Sequence, residues 1–278
     1  MGWQEHPLWP ALRVDEGRWA ELSPRMRAAV LRLFESSPAR SAGVDLGRLV
    51  ATPWWSQLDD DDDRIRAVKI IAYVSAASEG ARTAEGPVCR RRILVNTLDS
   101  LLSAAPRFAL RFEGLPVGEG ELVAGLRRAP GTVVLNRRAI AADDRRLGEG
   151  SAQERRVGTC TLVHEVNHLC NPTPVGPTYA AFMDEYRAWM VDFVAFAGRA
   201  PRAVEGRQRC RQLLTGPRYA AVGRLVERRG EREAVASFLR RFGADVTVAG
   251  AGQGVGEDFE AAAPLPDPRG NLDNGPAS

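Results

Sequence analysis

The stretch LVHEVNHLC, residues 162–170, carries two of the three histidines in the 278-residue chain. His164 and His168 are four residues apart with Glu165 between them, which matches the pattern HExxH. Residues i and i+4 of an α-helix project from the same face, so both imidazoles can reach one metal ion. Glu165 projects roughly 100° further round the helix, where it flanks such an ion beside a water molecule and does not bind the ion itself. The sequence therefore predicts a helix with two metal-binding histidines and a neighbouring carboxylate.

The third metal ligand has to come from outside this helix. A catalytic zinc ion needs three protein ligands and one open position, and His6 is the only other histidine in the chain. We therefore expect a carboxylate from a following element. Glu185 lies seventeen residues after His168, in the segment MDEYRAW of the next predicted helix. A loop followed by an antiparallel helix brings this position back across the first helix.

Glu185 is favoured over its neighbour Asp184, which remains the alternative ligand. When Glu185 faces the first helix, Ala188 and Asp192 share its face at i+3 and i+7. A small residue at position 188 permits close approach of two helices. Asp192 is then predicted to accept a hydrogen bond from the second nitrogen of a ligand histidine.

Two segments before the HExxH stretch have the composition of β-strands. In RFALRFEG, residues 107–114, Phe108, Leu110 and Phe112 alternate with arginine and alanine, as in a half-buried strand. The segment GTVVLNRRAI, residues 131–140, is rich in β-branched residues and starts with a glycine. A small sheet is therefore expected before the helix that carries the histidines.

Helices are predicted on both sides of this sheet. On the N-terminal side, apolar residues at helical spacing follow Ser23, and a second such run follows the five aspartates Asp59–Asp63. These aspartates suit the positive end of a helix dipole and are interpreted as a capped, solvated helix start, because the spaced pattern of a calcium loop is absent. A further helix is predicted over RRILVNTLDSLLSA, whereas residues 1–22 show no clear period and are expected to be irregular.

Two more helices are expected around the histidine stretch itself. Ser151 followed by Glu154 is a capping-box pattern for the first, which should end before Pro172. The second starts near Thr178, covers YAAFMDEYRAWMVDFVAFA and stops at Gly198. Further helices are expected downstream.

The expected fold class is α+β, a mostly helical domain with a small sheet packed against the HExxH helix. The chain is expected to consist of an N-terminal helical part at residues 1–105, a catalytic part at residues 106–248 and a tail at residues 249–278. The first two parts are expected to form one compact unit. The tail is rich in glycine, alanine and proline, a composition that predicts disorder.

The composition argues against several classes of protein. No apolar run reaches the roughly eighteen residues that a membrane span needs, and the start of the chain lacks the pattern of a secretory signal. Four widely spaced cysteines without a CxxC pair favour reduced thiols. The net charge of +3 is small and dispersed, which argues against nucleic-acid binding. We expect a cytoplasmic protein without membrane or nucleic-acid partners, although export by a signal-less route stays open.

HEVNH followed by a helix that bears E-x-x-A, Glu185 to Ala188, resembles the gluzincin branch of the zincin metallopeptidases, especially its small members. The resemblance covers residues 162–193 and the strand-like segment 131–140. It implies a zincin-like domain in which segment 131–140 is a sheet-edge strand that binds substrate main chain by strand addition. The chain departs from thermolysin-like members in a shorter spacing between the histidines and Glu185 and in lacking their N-E-x-x-S-D pattern.

The resemblance implies a zinc metallopeptidase that acts on a narrow protein or peptide target. A Zn²⁺ ion would be held by His164, His168 and Glu185, and Glu165 would be the general base for hydrolysis of a peptide bond. Two other classes stay open: a catalytically inactive zinc-bound module that holds a peptide, and a metal-free helical interaction protein. The sequence does not choose among four candidate donors to the developing oxyanion: Tyr179, Tyr186, Arg187 and Tyr219.

Overall fold

The computed structural model describes most of the chain up to Thr215, and Tyr219. The described residues are 5–36, 44–83, 88–115, 117–118, 121–122, 125–128, 131–138, 157–171, 179–215 and 219. They form a mostly helical structure with a small three-stranded sheet, as the expected α+β class requires. The predicted capping box at residues 151–154, the helices predicted beyond residue 219 and the predicted tail at residues 249–278 lie outside the described residues.

The helices and strands of the described residues have the following bounds. The helices are α1 (Trp9–Leu12), α2 (Glu16–Glu21), α3 (Pro24–Ser36), α4 (Leu46–Val50), α5 (Asp61–Thr83), α6 (Val88–Leu102), α7 (Val157–Cys170), α8 (Tyr179–Ala197) and α9 (Ala203–Thr215), with a 3-10 turn at Trp55–Gln57. The strands are β1 (Ala109–Glu113), β2 (Val117–Gly118), β3 (Glu121–Leu122), β4 (Gly125–Arg128) and β5 (Thr132–Asn136).

Capping residues set the ends of the predicted helices. Ser23 Oγ accepts a hydrogen bond of 3.0 Å from the N–H of Met26 at the start of α3. Asp60 Oδ1 accepts one of 2.8 Å from the N–H of Asp63 at the start of α5, and this bond lowers the pKa of Asp60. Gly198 follows α8 with a φ of 69°, a left-handed conformation in which glycine carries no Cβ penalty. The predicted start of α5 and end of α8 are thus confirmed.

Residues 1–22 were expected to be irregular, and this expectation is wrong for the described part of the segment. It contains the short helices α1 and α2, and Asp15 caps the second by accepting a hydrogen bond of 2.9 Å from the N–H of Arg18. The side chains of Leu12 and Trp19 are fully buried or nearly so. Helices of four to six residues are too short to show a period, so tertiary burial forms them here.

The aspartate run at the start of α5 is capped but is not entirely solvated. Asp63 is 1% exposed and accepts hydrogen bonds from Arg137, at 2.5 and 3.0 Å, and from Arg66, at 2.6 Å. Asp59 also accepts one of 2.9 Å from Arg137. These carboxylates raise the pKa of Arg137, chiefly through its hydrogen bonds to Asp63. The pairing joins the start of α5 to the end of β5, a long-range contact that the local sequence pattern does not contain.

Strand β5 lies at the centre of the three-stranded sheet, whose order is β1-β5-β4. It pairs in parallel with β1, Leu110 opposite Val133, and antiparallel with β4, Leu126 opposite Val134. The expectation that segment 131–140 is a sheet-edge strand is therefore wrong. The strand is buried from Val133 to Asn136, which is the pattern of a central strand.

The sheet packs against α7, the helix that carries the histidines. Helix α7 contacts β4 and β5 of the sheet and also the helices α5 and α6. Gly125 of β4 lies close to the helix, since a Cβ atom there would lie 2.5 Å from Cγ2 of Thr161 and 3.1 Å from the carbonyl oxygen of Val134. The absent side chain lets the strand reach the helix.

Two compact units make up the chain: the first is Met1–Pro172 with Ala188–Ala200, and the second is Thr173–Arg187 with Pro201–Ser278. The continuous helix α8 contributes its first turns to the second unit and its last turns to the first. The sequence-based division into residues 1–105, 106–248 and 249–278 stays a prediction.

None of the helices in the described part of the chain is both long enough and apolar enough to cross a membrane. The described cysteines Cys160, Cys170 and Cys210 form no disulfide, and the first and last of them are buried.

We expect Gly125→Ala to destabilise the fold, because the added methyl group meets Thr161 and the backbone of Val134. Overpacking of this kind costs about 1–3 kcal/mol in the free energy of unfolding, which chemical denaturation measures. Gly114→Ala is the matched control, because no heavy atom lies within 4 Å of the position its methyl group would take and the change is expected to be neutral or stabilising by up to about 1 kcal/mol. Equal stability of the two variants would contradict the close packing of β4 on α7.

Candidate metal centre

One face of α7 is buried and so fixes where its other faces point. Thr159, Leu162, Val163 and Val166 follow the spacing i, i+3, i+4, i+7, and each is at most 2% exposed. Burial of a valine or leucine side chain contributes about 1.5–3 kcal/mol relative to exposure. Rotating α7 about its axis would expose this stripe, so the directions of the two histidines are set by core packing.

The two imidazoles of α7 converge. Nε2 of His164 lies 3.1 Å from Nε2 of His168, and the ring planes are inclined by 77° with their centroids 4.7 Å apart. Two nitrogens that bind one tetrahedral zinc at about 2.0–2.1 Å lie about 3.4 Å from each other. A direct hydrogen bond between imidazoles has a similar length, so the groups around the pair carry the distinction between the two.

Asp192 on α8 contacts the far side of one ring. Its Oδ2 lies 3.3 Å from Nδ1 of His164, and both side chains are largely buried, at 8% and 11% exposed. A carboxylate on Nδ1 favours the tautomer with the proton on that nitrogen, which leaves a lone pair on Nε2. The predicted contact between Asp192 and a histidine of the pair is confirmed, and it aims the Nε2 lone pair at the point where the rings meet.

Glu185 joins this pair in a cluster that could hold a metal ion. Ligand atoms of His164, His168 and Glu185 all lie within 4.8 Å of one another. Glu185 and Asp192 are seven residues apart on one continuous helix, so they share a face. The neighbouring Asp184 is 6% exposed and pairs with Arg187 on its own helix. The structure thus brings together the three side chains that were predicted as ligands, and their binding of an ion stays a prediction.

Glu165 follows His164 on α7 and is 8% exposed. A carboxylate is rarely buried to this extent without a structural or chemical use. Its assignment as general base stays a prediction.

The third histidine has other neighbours. His6 accepts a hydrogen bond of 3.3 Å at Nδ1 from the N–H of Leu8, and its Nε2 lies 3.9 Å from Glu35. Of the residues that the structure describes, the cluster therefore contains two histidines and one carboxylate.

The candidate oxyanion donors are mostly engaged in packing. Tyr186 is 1% exposed and hydrogen-bonds Cys210, and burial raises the pKa of its phenol. Tyr219 donates a hydrogen bond of 3.5 Å to the carbonyl of Ala181, and Arg187 pairs with Asp184. These contacts favour structural roles for the three. The fourth candidate, Tyr179, is the first residue of α8, and its role as a donor stays a prediction.

The sequence interpretation missed one charged neighbour of the cluster. Arg209 on α9 has its Nη2 4.0 Å from Oε1 of Glu185. No motif links two residues twenty-four positions apart on successive helices. Only the tertiary structure reveals the pair.

Comparison with family models, with curated proteins and with solved structures gave no match to the chain. The gluzincin resemblance therefore depends on the motif residues and their surroundings.

We expect Asp192→Asn to weaken metal binding, because an amide holds the His164 tautomer less firmly than a carboxylate does. Loss of such an outer partner typically lowers metal affinity about 10–100-fold, which a competition titration against a chromophoric chelator measures. Asp99→Asn is the control, because Asp99 is an exposed aspartate whose ion pair is with Arg48. If both variants bind Zn²⁺ as tightly as the wild type, Asp192 has no part in the site.

Proposed function

We propose that the chain is a zinc-dependent peptidase that hydrolyses a peptide bond in a narrow protein or peptide target. The observation that carries the proposal is the cluster of His164, His168 and Glu185, whose ligand atoms lie within 4.8 Å of one another, with the Asp192 carboxylate behind one of the rings. Two histidines that only filled space in the core would not need ring nitrogens directed at one point, nor a carboxylate beside that point.

The donor set favours zinc over other divalent cations. Two imidazole nitrogens and one carboxylate are the protein ligands of a common class of catalytic zinc site. Calcium and magnesium prefer sites built wholly from oxygen ligands. Three ligands leave one coordination position for water or substrate, which is what catalysis requires and a purely structural site does not.

The side chains divide the chemistry among them. When bound, the ion would supply Lewis-acid chemistry, activating water at neutral pH and polarising the scissile carbonyl. His164, His168 and Glu185 would hold it, with Asp192 orienting the first of these. Glu165 accepts a proton from the attacking water and then delivers it to the amide nitrogen as the carbon–nitrogen bond breaks.

Substrate main chain would pair with β4 in this proposal. Segment 131–140, to which the resemblance assigned this role, forms the central strand β5 with neighbours on both sides. Among the described strands, β4 is an edge of the sheet and contacts α7. An extended peptide hydrogen-bonded to this edge would run alongside the helix that carries Glu165.

A cytoplasmic location is part of the proposal, supported by the thiols of Cys160, Cys170 and Cys210, which are not joined in disulfides. The two other classes predict different behaviour. An inactive zinc-bound module would bind metal and peptide without cleavage, and a metal-free interaction protein would bind no metal.

We expect the purified wild type to retain one zinc ion per chain and Glu185→Ala to retain much less, because two imidazoles alone hold the ion weakly. Asp184→Ala is the matched control and should retain zinc, because Asp184 pairs with Arg187. Elemental analysis after dialysis gives the stoichiometry. Loss of zinc in the Asp184 variant alone would make Asp184 the third ligand in place of Glu185. A wild type without zinc would favour the metal-free class.

We expect Glu165→Gln to abolish turnover and leave zinc bound. A positioned general base contributes about 10²–10⁴-fold to the rate, and a glutamine in its place keeps the shape of the side chain without its basicity. Cleavage of a peptide library, blocked by a chelator in the wild type, is the measurement, with His164→Ala as the variant that should lose both metal and activity. Cleavage by the Glu165 variant at the wild-type rate would exclude this mechanism.

A further inference from the structure

Helix α9 places a positive charge beside the proposed third ligand. Nη2 of Arg209 lies 4.0 Å from Oε1 of Glu185, and the two side chains are 28% and 19% exposed. Both residues belong to the second compact unit. An opposite charge stabilises a carboxylate that is partly removed from water, and Arg209 places such a charge at ion-pair distance from Glu185.

A second contact between α8 and α9 lies next to the ion pair of Arg209 and Glu185. Tyr186 and Cys210 are the next residues on α8 and α9, each is 1% exposed, and their side chains are hydrogen-bonded. Tyr186 also stacks on Phe182, with ring centroids 6.4 Å apart. The contact between Tyr186 and Cys210 joins α8 to α9 one residue beyond the ion pair and involves no charged group.

The contact between Arg209 and Glu185 is electrostatic and is not a two-pronged hydrogen bond. A separation of 4.0 Å is too long for a hydrogen bond. The Nε atom of Arg209 is buried and has no hydrogen-bond partner among the described residues. The guanidinium therefore does not form a bidentate hydrogen-bonded pair with Glu185 through Nε. A bidentate pair would use both oxygens of Glu185 and would compete with a cation for them.

We propose that Arg209 is a positioning residue, which holds the Glu185 carboxylate toward the two histidines and makes α9 part of the metal site. The inference rests on the proposed metal site. It adds that an arginine near a cation strengthens binding of that cation, although the two positive charges repel. Ordering of the glutamate side chain outweighs the repulsion, because a ligand held in place loses less conformational freedom when the ion binds.

The test is a Co²⁺ titration of the full chain, followed by visible absorption, which reports both affinity and ligand environment. Arg209→Met is expected to bind Co²⁺ at least about 10-fold more weakly than the wild type, with an altered ligand-field spectrum. Arg209→Lys keeps the charge and is expected to recover most of the affinity. Arg207→Met removes the same charge two residues away, on the opposite side of α9, and should match the wild type.

A double-mutant cycle separates positioning from general damage to the fold. If Arg209 acts through Glu185, Arg209→Met changes Co²⁺ affinity little in the Glu185→Gln background. A further loss of similar size there would assign the effect to the fold and overturn the inference. Arg209→Gln replaces Arg209→Met in the same comparisons if the methionine variant is unfolded by circular dichroism.

The outcomes distinguish this inference from the proposed function. If the wild type binds Co²⁺ and Arg209→Met binds it equally or more tightly, the positioning role is wrong and the metal site stands. If the wild type binds no Co²⁺, the metal site itself is wrong and the inference falls with it.

Discussion

The candidate site depends on burial of one face of α7 against the sheet and its neighbouring helices. The apolar stripe from Leu162 to Val166 cannot leave the core without a loss of several kcal/mol, so the helix has a fixed rotation about its axis. Gly125 brings β4 close enough to maintain this contact. Because His164 and His168 are on the same rigid helix, the direction of both imidazoles follows from apolar packing and needs no metal ion to establish it.

Arginine contacts the carboxylates of Asp63 and Glu185 in two different ways. Asp63 uses both of its oxygens in hydrogen bonds to Arg137 and Arg66, and it ties a helix to a strand. The contact of Glu185 with Arg209 is longer and engages one oxygen. The hydrogen bonds tie Asp63 into the fold, whereas Arg209 places a positive charge near Glu185 at a distance too long for a hydrogen bond. Arginine serves in all these pairs, in a chain whose one lysine is Lys69.

Much of the fold and of the candidate site could be predicted, because the patterns involved are local. Helical spacing located α3, α5, α6, α7 and α8, capping residues located the starts of α3 and α5 and the end of α8, and alternation located β1. The HExxH spacing gave the two histidines, and the position of the following helix narrowed the third side chain to Glu185 or its neighbour Asp184. The sheet order could not be predicted, because β4 is four residues long and has no alternation of its own. The resemblance implied an edge position for β5, but β4 pairs with it and makes it the central strand.

The sequence by itself determined which side chains share a helix face, since the spacing of His164 and His168 and of Glu185 and Asp192 follows from 3.6 residues per turn. Tertiary structure alone decided which carboxylate faces the histidines and which pairs within its own helix, and it alone brought Arg209 beside Glu185. The physical reason is that helical periodicity is a property of neighbours in the chain, whereas the approach of one helix to another depends on the volumes and charges of side chains that are distant in sequence.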